Sequence, residues 1–320
     1  MKSAVLFLSS WLLLTFAYVG QATADRLVWI DDGTRKIQSA ALDGSGVTDV
    51  VALATNVNNH HLILAIDSTL QRAYYFVGGS PGPARGLRRV PLGGGVPDSL
   101  SSETELLQGL AVDSAAGTLY RVTLATLSSE LIRSDLDAAA GATLWSYVNG
   151  GVAISHDLDA SCLVSAGIVC GDLDMAGVVV AADFADTGTI GDLEIDGVGG
   201  HVYWSSQLEG GSIKRANVSG GGVITVAPGV GFSPGIAIDE VGRKLYWTSP
   251  FTGEITRANL DGSSVEVVVP GLSEPTDVEI AVGVPSVPLA TAPTRALLAI
   301  ALSSLGLAAA LRRSASRRIV

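Results

Sequence analysis

The sequence predicts an all-β protein folded as a six-bladed β-propeller, and three observations carry this prediction. In four segments an Asp is followed seven positions later by a Tyr, and these copies recur about every 42 residues or at twice that spacing. The pairs are Asp67 with Tyr74, Asp113 with Tyr120, Asp196 with Tyr203, and Asp239 with Tyr246. Repeats of about 40 residues are typical of propeller blades. The segments at the two ends of the repeat region complement each other as parts of one further unit.

Each repeat predicts four short strands, as the last complete unit illustrates. "PGIAID" is an apolar run closed by Asp239, whose carboxylate can accept hydrogen bonds from the following turn. "KLYWT" and "EITRANL" alternate as half-buried strands do. "DG" at Asp261 and Gly262 predicts a tight hairpin, and "SVEVVV" forms an outer strand that stops at Pro270. The seven-residue interval is therefore the length of one hairpin, and the Tyr is expected to point at a neighbouring sheet.

Two degenerate copies complete a set of six units. "VAISHDLDASCL" places Ser155 in the Asp position and Cys162 in the Tyr position, and "VEIAVG" places Ala281 in the Asp position. The chain enters the repeats with a second strand, residues 26–32, and leaves them with a first strand, residues 277–282. Small four-stranded sheets bury both faces when they pack radially. We therefore expect the last strand to join the first blade and close the ring.

The segment "LYWTSPFTGEITRANLDGSSVEVVV" resembles the YWTD repeat of the low-density lipoprotein receptor propellers. The resemblance extends from Arg26 to about Val282 and implies the six-bladed fold. It also implies that the Asp of the motif supports hydrogen bonding between repeats. Here that letter is Asp only at Asp31, with Ser206 and Ser249 near the corresponding place, so part of the network must be replaced. The chain carries no Cys-rich EGF modules beside the repeats, and lipoprotein or growth-factor functions are not transferred to it.

The N-terminal residues 1–24 predict a signal peptide. One Lys precedes an uncharged apolar run that ends in Ala22-Thr23-Ala24, the small-x-small pattern at which signal peptides are cleaved. The mature chain is then expected to begin at Asp25 and to contain the propeller over residues 25–283. The alternative is a buried first helix of a globular domain.

The C-terminal region predicts a Pro/Ala-rich linker over residues 284–295 and an apolar helix with an Arg-rich tail over residues 296–320. Sixteen uncharged residues, 296–311, precede four arginines, which are expected to remain cytoplasmic and leave the propeller outside. This arrangement resembles bacterial PEP-CTERM sorting tails handled by exosortase-like enzymes, although the Glu-Pro pair of that family is missing. We expect a membrane-tethered or sorted protein of the periplasm, cell envelope or exterior; a packed terminal helix is the alternative.

The charge balance of the propeller region excludes one class of partner. All 31 acidic residues lie there with 14 of the 20 basic ones, which gives a formal charge of −17. Such a surface repels phosphate backbones, so nucleic acid is not expected to bind. We expect the protein to be a monomer. The two cysteines, Cys162 and Cys170, flank a segment long enough for a hairpin, and a cross-strand disulfide in an oxidising compartment is one interpretation.

Acidic residues raise the question of a metal. Asp157, Asp159, Asp172 and Asp174 crowd into the degenerate unit and could supply part of a calcium shell, but most "DLD" acids occupy hairpin positions and are interpreted as turn residues. Other six-bladed propellers are calcium-dependent lactonases or esterases with acids at the central mouth. Glu194 and Glu279, on inner strands, keep that option open. No cofactor is expected, with calcium as the alternative.

Binding is the function that the sequence favours. Loops that join the second strand to the third, and the fourth to the next blade, gather on one face of a propeller, where ligands commonly dock. From these loops we predict binding residues at the positions Asn59, His60, Phe232 and Phe251. The expected partner is a protein or a glycan, and no catalytic residues are assigned. The alternative function is a calcium-dependent lactonase or esterase, and the alternative for both Phe residues is a packed loop anchor.

Overall fold

A computed structural model of the chain describes residues 24–53, 62–78, 85–101, 106–124, 129–138, 141–146, 150–155, 157–231 and 235–284. These belong to a compact unit that extends from Ala24 to Val284. The predicted signal peptide, linker and C-terminal apolar segment lie outside the described residues, apart from Ala24 and Val284. Within the described part of the chain, no helix is long and apolar enough to cross a membrane.

Six four-stranded antiparallel sheets make up this unit, which confirms the predicted six-bladed β-propeller. Blade 1 contains β1 (Arg26–Asp31), β2 (Lys36–Ala41) and β3 (Thr48–Ala52), with an inner strand described below. Blade 2 contains β4 (Leu62–Asp67), β5 (Arg72–Val77), β6 (Gly86–Pro91) and β7 (Asp98–Ser101). Blade 3 contains β8 (Leu106–Asp113), β9 (Thr118–Leu124), β10 (Ser129–Asp135) and β11 (Ala142–Ser146).

The remaining blades repeat the same order from the inner strand outwards. Blade 4 contains β12 (Val152–Ser155), β13 (Ala160–Val164), β14 (Gly167–Gly171) and β15 (Val179–Asp183), followed by a short helix α1 (Phe184–Thr187). Blade 5 contains β16 (Ile190–Asp196), β17 (His201–Ser206), a 3₁₀ turn (Leu208–Gly210), β18 (Ser212–Asn217) and β19 (Ile224–Pro228). Blade 6 contains β20 (Ile236–Asp239), β21 (Lys244–Ser249), β22 (Glu254–Asn259) and β23 (Glu266–Val269).

The ring closes through β24 (Pro275–Ala281), which is the inner strand of blade 1. It pairs antiparallel with β1, with Leu27 opposite Ile280 and Trp29 opposite Val278. The backbone N–H of Gly283 donates to Oδ1 of Asp25 at 2.6 Å, so the two ends of the propeller are held together beyond the strands. The closure predicted from the complementary ends of the repeat region is confirmed.

The repeated Asp works as the turn chemistry predicts. Oδ1 of Asp239 accepts hydrogen bonds from the backbone N–H groups of Val241 at 3.1 Å and Gly242 at 2.7 Å, and the Asp67, Asp113 and Asp196 side chains accept equivalent bonds. In the degenerate blade 4 the hydroxyl of Ser155 accepts from Leu158 N–H at 3.4 Å. Five of the six inner strands, all except β24, therefore end in a turn that their own side chain stabilises.

The repeated Tyr contacts the next blade, as expected. In blade 5 the Tyr203 hydroxyl donates to the carbonyl of Leu260 at 3.2 Å, and in blade 6 the Tyr246 hydroxyl donates to the carbonyl of Leu42 at 3.3 Å. Each of these tyrosines lies opposite an arginine of the third strand, and Nη1 of Arg257 reaches the same Leu42 carbonyl at 3.0 Å. Such pairs connect one blade to the outer hairpin of its neighbour.

The hydrophobic core is distributed among the interfaces between blades. The described residues form six buried clusters, and each contains side chains from two neighbouring blades. Trp29, for example, packs between blades 1 and 6, and Trp204 packs between blades 4 and 5. Radial packing thus buries sheets that are too small to form a core alone.

One Asp of the YWTD pattern keeps the role that the resemblance implies, and one serine substitutes for it. The Asp31 carboxylate accepts hydrogen bonds from the N–H groups of Glu274 at 2.9 Å and Ser273 at 3.2 Å, which fixes the loop leading into β24. In blade 5 the Ser206 hydroxyl donates to the Thr187 carbonyl at 2.7 Å. Ser206 thus holds the segment that leads into β16, as Asp31 holds the segment that leads into β24, but with a shorter side chain.

Blade 4 replaces the Tyr–Arg pair with a disulfide. Cys162 occupies the Tyr position and lies directly opposite Cys170, and their sulfur atoms are bonded. Both residues are buried in the hydrophobic cluster that joins blades 4 and 5. An apolar contact thus stands where other blades place a hydroxyl and a guanidinium.

Replacing both cysteines with serine is expected to lower the free energy of unfolding by about 2 kcal/mol, because the bond closes a short loop in the unfolded chain. The replacement also buries two hydroxyls in an apolar contact, so the pair Cys162→Ala and Cys170→Ala separates the two contributions. Urea unfolding of the three proteins provides the measurement. Equal stability of the oxidised protein and the Ala pair would contradict the assignment of a stabilising disulfide.

Candidate functional site

A cavity of about 700 Å³ lies along the propeller axis. Its walls come from the inner strands β4, β8, β12, β16 and β24, and its mouth is formed by loops around Asp32, Phe251 and Glu274. These loops join second to third strands, or lead from an outer strand to the next blade. We call the face on which they gather the upper face. The opposite lower face carries the turns between inner and second strands.

The polar side of the cavity arises where two blades depart from the repeat. One register position of the inner strand, opposite the Tyr position of the second strand, is Ala in four blades and Glu in two. The six residues at this position are Ala65, Ala111, Ala153, Glu194, Ala237 and Glu279. Because Glu194 and Glu279 line the cavity, two carboxyl groups enter an inner layer that is otherwise made of methyl groups.

Two aspartates join these glutamates two residues earlier on the same strands. Asp192 accepts hydrogen bonds from the N–H groups of Ile236 and Leu193, at 2.9 Å and 2.8 Å. Asp277 likewise accepts from Leu64 N–H at 2.8 Å, and from the N–H of the residue after it at 2.9 Å. Each aspartate therefore connects its own inner strand to that of the following blade, and both also line the cavity.

Three of the other blades have glycine at the aspartate position, and the structure explains two of them by close packing. A Cβ on Gly235 would lie 2.7 Å from the Cα of Asp277, and one on Gly109 would lie 2.9 Å from the backbone nitrogen of Val152. At these interfaces the neighbouring inner strands approach too closely for a side chain. Four of the six neighbouring pairs of inner strands are thus joined either by direct contact or by a carboxylate between them.

Burial raises the pKa values of these four acids, which we call the acidic wall, and repulsion by neighbouring acids adds to the shift in Glu194, Asp277 and Glu279. Burial raises the pKa of Asp192 to about 6, although its two backbone hydrogen bonds act in the opposite direction. Burial, reinforced by the charges of Asp192 and Asp277, raises the pKa of Glu194 well above its ordinary value. The pKa of Glu279 is raised in the same way by burial and by the charge of Glu194, and that of Asp277 by burial and Asp192. The acids therefore lie close enough that the ionisation of one disfavours the ionisation of its neighbours.

The remaining wall of the cavity is mostly apolar, with Gln108 of β8 as a polar exception. Strands β4, β8 and β12 contribute aliphatic side chains such as Leu64, Leu110 and Val152, all less than a tenth exposed. The acidic wall comes only from β16 and β24, which flank the inner strand of blade 6. The cavity is therefore amphipathic, and it suits a group with hydrogen-bond donors on one side and an apolar body on the other.

The structure describes one of the four predicted binding residues. Phe251 is 87% exposed and stands at the cavity mouth, so its ring is a surface group and not a packed loop anchor. Asn59, His60 and Phe232 lie outside the described residues. Glu194 and Glu279 were anticipated from their inner-strand positions, whereas Asp192 and Asp277 were not. The signal that could have found the aspartates is their shared place, four residues before the turn position.

The described residues give no arrangement typical of a metal centre. No group of three or more His, Cys, Asp or Glu side chains in the described part of the chain is placed to hold a metal ion. Asp172 acts as the turn residue that the sequence predicts, since its Oδ1 accepts from the N–H groups of Asp174 and Ala176. Asp135 does the same for Asp137 N–H at 3.2 Å. The first Asp of these two "DLD" segments thus stabilises its own hairpin.

Comparisons with known proteins identify the fold. No protein-family model matches the chain. A vitellogenin receptor from Solenopsis invicta is 31% identical over 80 residues, which cover 23% of this chain and only 4% of that receptor. Among solved structures, a chain of a nidogen/laminin complex superposes with a TM-score of 0.68 at 16% identity, covering 81% of this chain and 99% of that one.

Two bacterial structures are similar as well. TolB from Acinetobacter baumannii has a TM-score of 0.64 at 12% identity, with 80% of this chain and 66% of that chain covered. A putative TolB from Agrobacterium tumefaciens has a TM-score of 0.59 at 11% identity, with 83% of this chain and all of that chain, 100%, covered. At these identities the similarity establishes the six-bladed propeller fold, while function depends on the site.

Proposed function

We propose that the protein is an exported, envelope-associated binding module whose partner, a protein or a glycan, docks on the upper face. The observation that carries this proposal is the amphipathic axial cavity opening beside the exposed ring of Phe251. An exposed aromatic residue beside a concave site is a common anchor for a partner. The matched chain of a nidogen/laminin complex supports a protein partner by analogy of fold.

The chemistry of the cavity indicates what the partner presents to it. Four acids on one wall favour hydrogen-bond donors or a positive charge, and the propeller region as a whole is acidic. A Lys or Arg side chain, with its apolar stem and charged head, matches the two walls. Amine or hydroxyl groups of a glycan offer the same donors. We propose that such a group enters the cavity while the surrounding partner surface rests on the upper loops.

The export and anchorage proposals come from the sequence outside the described residues. Residues 1–24 have the pattern of a signal peptide, and residues 296–320 have that of an apolar helix followed by arginines. We propose that the propeller is a monomer held at a bacterial envelope by this tail. Fractionation of cells that express the full chain tests the anchorage, and release of the full chain by high salt would contradict it.

Phe251→Ala is expected to weaken partner capture at least about tenfold, since a central aromatic anchor often contributes more than about 1.4 kcal/mol. The test uses the ectodomain 25–284 against glycan arrays and cross-linked envelope fractions. Val96→Ala is a matched control, because Val96 is 89% exposed on an outer hairpin of the lower face. Equal loss of capture by both variants, or by neither, would remove the site proposal.

The alternative function is a calcium-dependent lactonase or esterase, and the convergence of four acids in the channel is the observation that favours it. Both carboxylate oxygens of Asp192 already accept backbone hydrogen bonds, and so do those of Asp277. These two side chains therefore have structural tasks that compete with metal ligation. We expect no hydrolysis of lactones or esters. Turnover that a chelator abolishes, and that Glu194→Gln also abolishes, would establish the alternative.

A further inference from the structure

The lower face carries an exposed aliphatic side chain in five of the six blades, one to three residues after the repeated Asp position. Four lie in the turns between inner and second strands, and the fifth directly follows β24. We call this set the apolar ring: Leu70 (49% exposed), Leu158 (38%), Val198 (71%), Val241 (82%) and Val282 (47%). Blade 3 has alanines at this place. Single exposed aliphatic residues are ordinary, but here five of them gather on one face of the propeller, around its axis.

Folding does not require aliphatic residues at these places. The turns depend on the preceding Asp or Ser side chain and on backbone N–H groups, as the bonds from Leu70 N–H to Asp67 and from Val241 N–H to Asp239 illustrate. Any residue with an N–H would serve, and polar residues are the usual choice in turns. Exposed valines therefore carry a cost in solubility that the fold does not explain.

Hydrogen bonds connect lower-face segments of neighbouring blades near the residues of the apolar ring. Val282 N–H donates to the Ser68 hydroxyl at 2.9 Å, and Ser68 N–H donates to the Ser114 hydroxyl at 2.9 Å. Between blades 5 and 6, Gly197 N–H donates to the carboxylate of Glu240. These bonds join the lower-face segments of blades 1, 2 and 3 to one another, and those of blades 5 and 6.

The chain leaves the propeller at this same face. Strand β24 ends at Ala281, and Gly283 is pinned to Asp25. The sequence continues with residues 285–295, which span at most about 40 Å when fully extended. The uncharged apolar stretch 296–311 comes next. If that stretch enters a bilayer, the lower face is the part of the propeller from which the connection begins, a short distance from the lipid.

We propose that the apolar ring is a lipid-contacting surface that rests on the bilayer to which the chain is anchored. This inference rests on the membrane anchorage proposed above. A tether of this length gives an effective concentration in the millimolar range, so even a weak surface contact is populated. Burial of the five aliphatic side chains of the ring against lipid favours this contact. Docking the lower face leaves the upper face and its cavity open to a partner.

Charge on the same face selects the kind of lipid. The outer hairpins of the lower face carry exposed Asp43 and Asp261, and hydrogen bonds from Ser45 and Ser263 lower the pKa values of both carboxyls. Fixed negative charges at the rim oppose an anionic surface. They also oppose a second copy of the propeller placed face to face. The ring is therefore expected to prefer zwitterionic lipid.

The test anchors the propeller 25–284 to phosphatidylcholine vesicles through a C-terminal polyhistidine tag and a nickel-chelating lipid. An environment-sensitive dye is attached at Val241→Cys on the ring, or at Phe251→Cys on the upper face, where exposure is similar. The native cysteines are joined and do not react. We expect a spin-labelled lipid to quench the dye at 241 severalfold more than the dye at 251. Equal quenching, or stronger quenching at 251, would overturn the proposal.

A second variant tests the ring itself. Adding Leu70→Asp and Val198→Asp to the 241-labelled protein is expected to abolish the excess quenching, and both changes are at exposed positions. Unchanged quenching would overturn the proposal. A dye shift that depends on protein concentration in the absence of lipid would also overturn it, because a second copy of the propeller would then cover the ring.

Replacing part of the phosphatidylcholine with phosphatidylglycerol is expected to weaken quenching, and stronger quenching would contradict the charge argument. Because the anchor is artificial, these outcomes are independent of whether the native tail enters a membrane.

Discussion

A chain that ends at Pro270 is expected not to fold into a stable propeller. It lacks β24, so blade 1 loses its inner strand and β1 exposes an unpaired edge. The deletion also removes Val278 and Ala281, both fully buried, and with them part of the packing against blades 6 and 2. In a ring, one open interface exposes two blade faces at once.

The comparison protein for this prediction ends at Val284 and keeps the whole ring. We expect the longer chain to show one cooperative thermal transition by circular dichroism, and the shorter chain to show none at the same temperature range. A second comparison is Val278→Asp, which keeps β24 but places a charge in its buried contact with blade 6. A cooperative transition in the chain ending at Pro270 would show that closure is not needed for stability.

Neutralising the glutamates of the acidic wall is expected to stabilise the protein at alkaline pH. Glu194 and Glu279 have pKa values well above the ordinary value because they are buried beside other acids. In the unfolded chain they ionise near pH 4, so between that pH and their folded pKa values the folded state binds more protons. This contribution to stability is complete below about pH 4 and is lost as the pH rises. Asp192, whose pKa is about 6, acts in the same direction.

The variant Glu194→Gln with Glu279→Gln is therefore expected to have a higher free energy of unfolding than the unmodified protein at pH 8, because it has no carboxyl groups there to ionise. Near pH 4 the difference should disappear. Urea unfolding at pH 8, 6 and 4.5 provides the measurement, and Glu254→Gln in the third strand of blade 6 is the control. Lower stability of the double variant at pH 8 would show that the carboxylates are stabilised as anions, for example by a bound cation.

The sequence predicted the fold because its decisive information is local. The turn that follows each inner strand needs an oxygen from a side chain, and this requirement leaves Asp67, Asp113, Asp196 and Asp239 at regular intervals. Even the degenerate blade obeyed it, since the Ser155 hydroxyl accepts the turn bond. The closure of the ring was predictable for a similar reason. The repeat region begins with a second strand, which needs an inner strand to pair with, and it ends with an inner strand that is left over.

The acidic wall was only half predictable. Glu194 and Glu279 could be placed on inner strands, but their proximity depends on how blades 5, 6 and 1 curve around the axis. Nothing in the local sequence distinguishes Asp192 and Asp277 from other polar residues near the start of a strand. Their partners, the N–H groups of Ile236 and Leu64, are 44 and 213 residues away, and no local pattern connects them. Phe251 was accessible to sequence reasoning because a large apolar residue in a turn stands out from its neighbours.

The meeting of Asp25 and Gly283 has a consequence for protein engineering. Because both ends of the ring emerge side by side, a short connector could join them, and the backbone could be opened at a turn in another blade to give a circular permutant. Such a protein would keep every sheet while moving its attachment point to a chosen edge. The propeller could then be displayed in a new orientation without altering the residues around its axis.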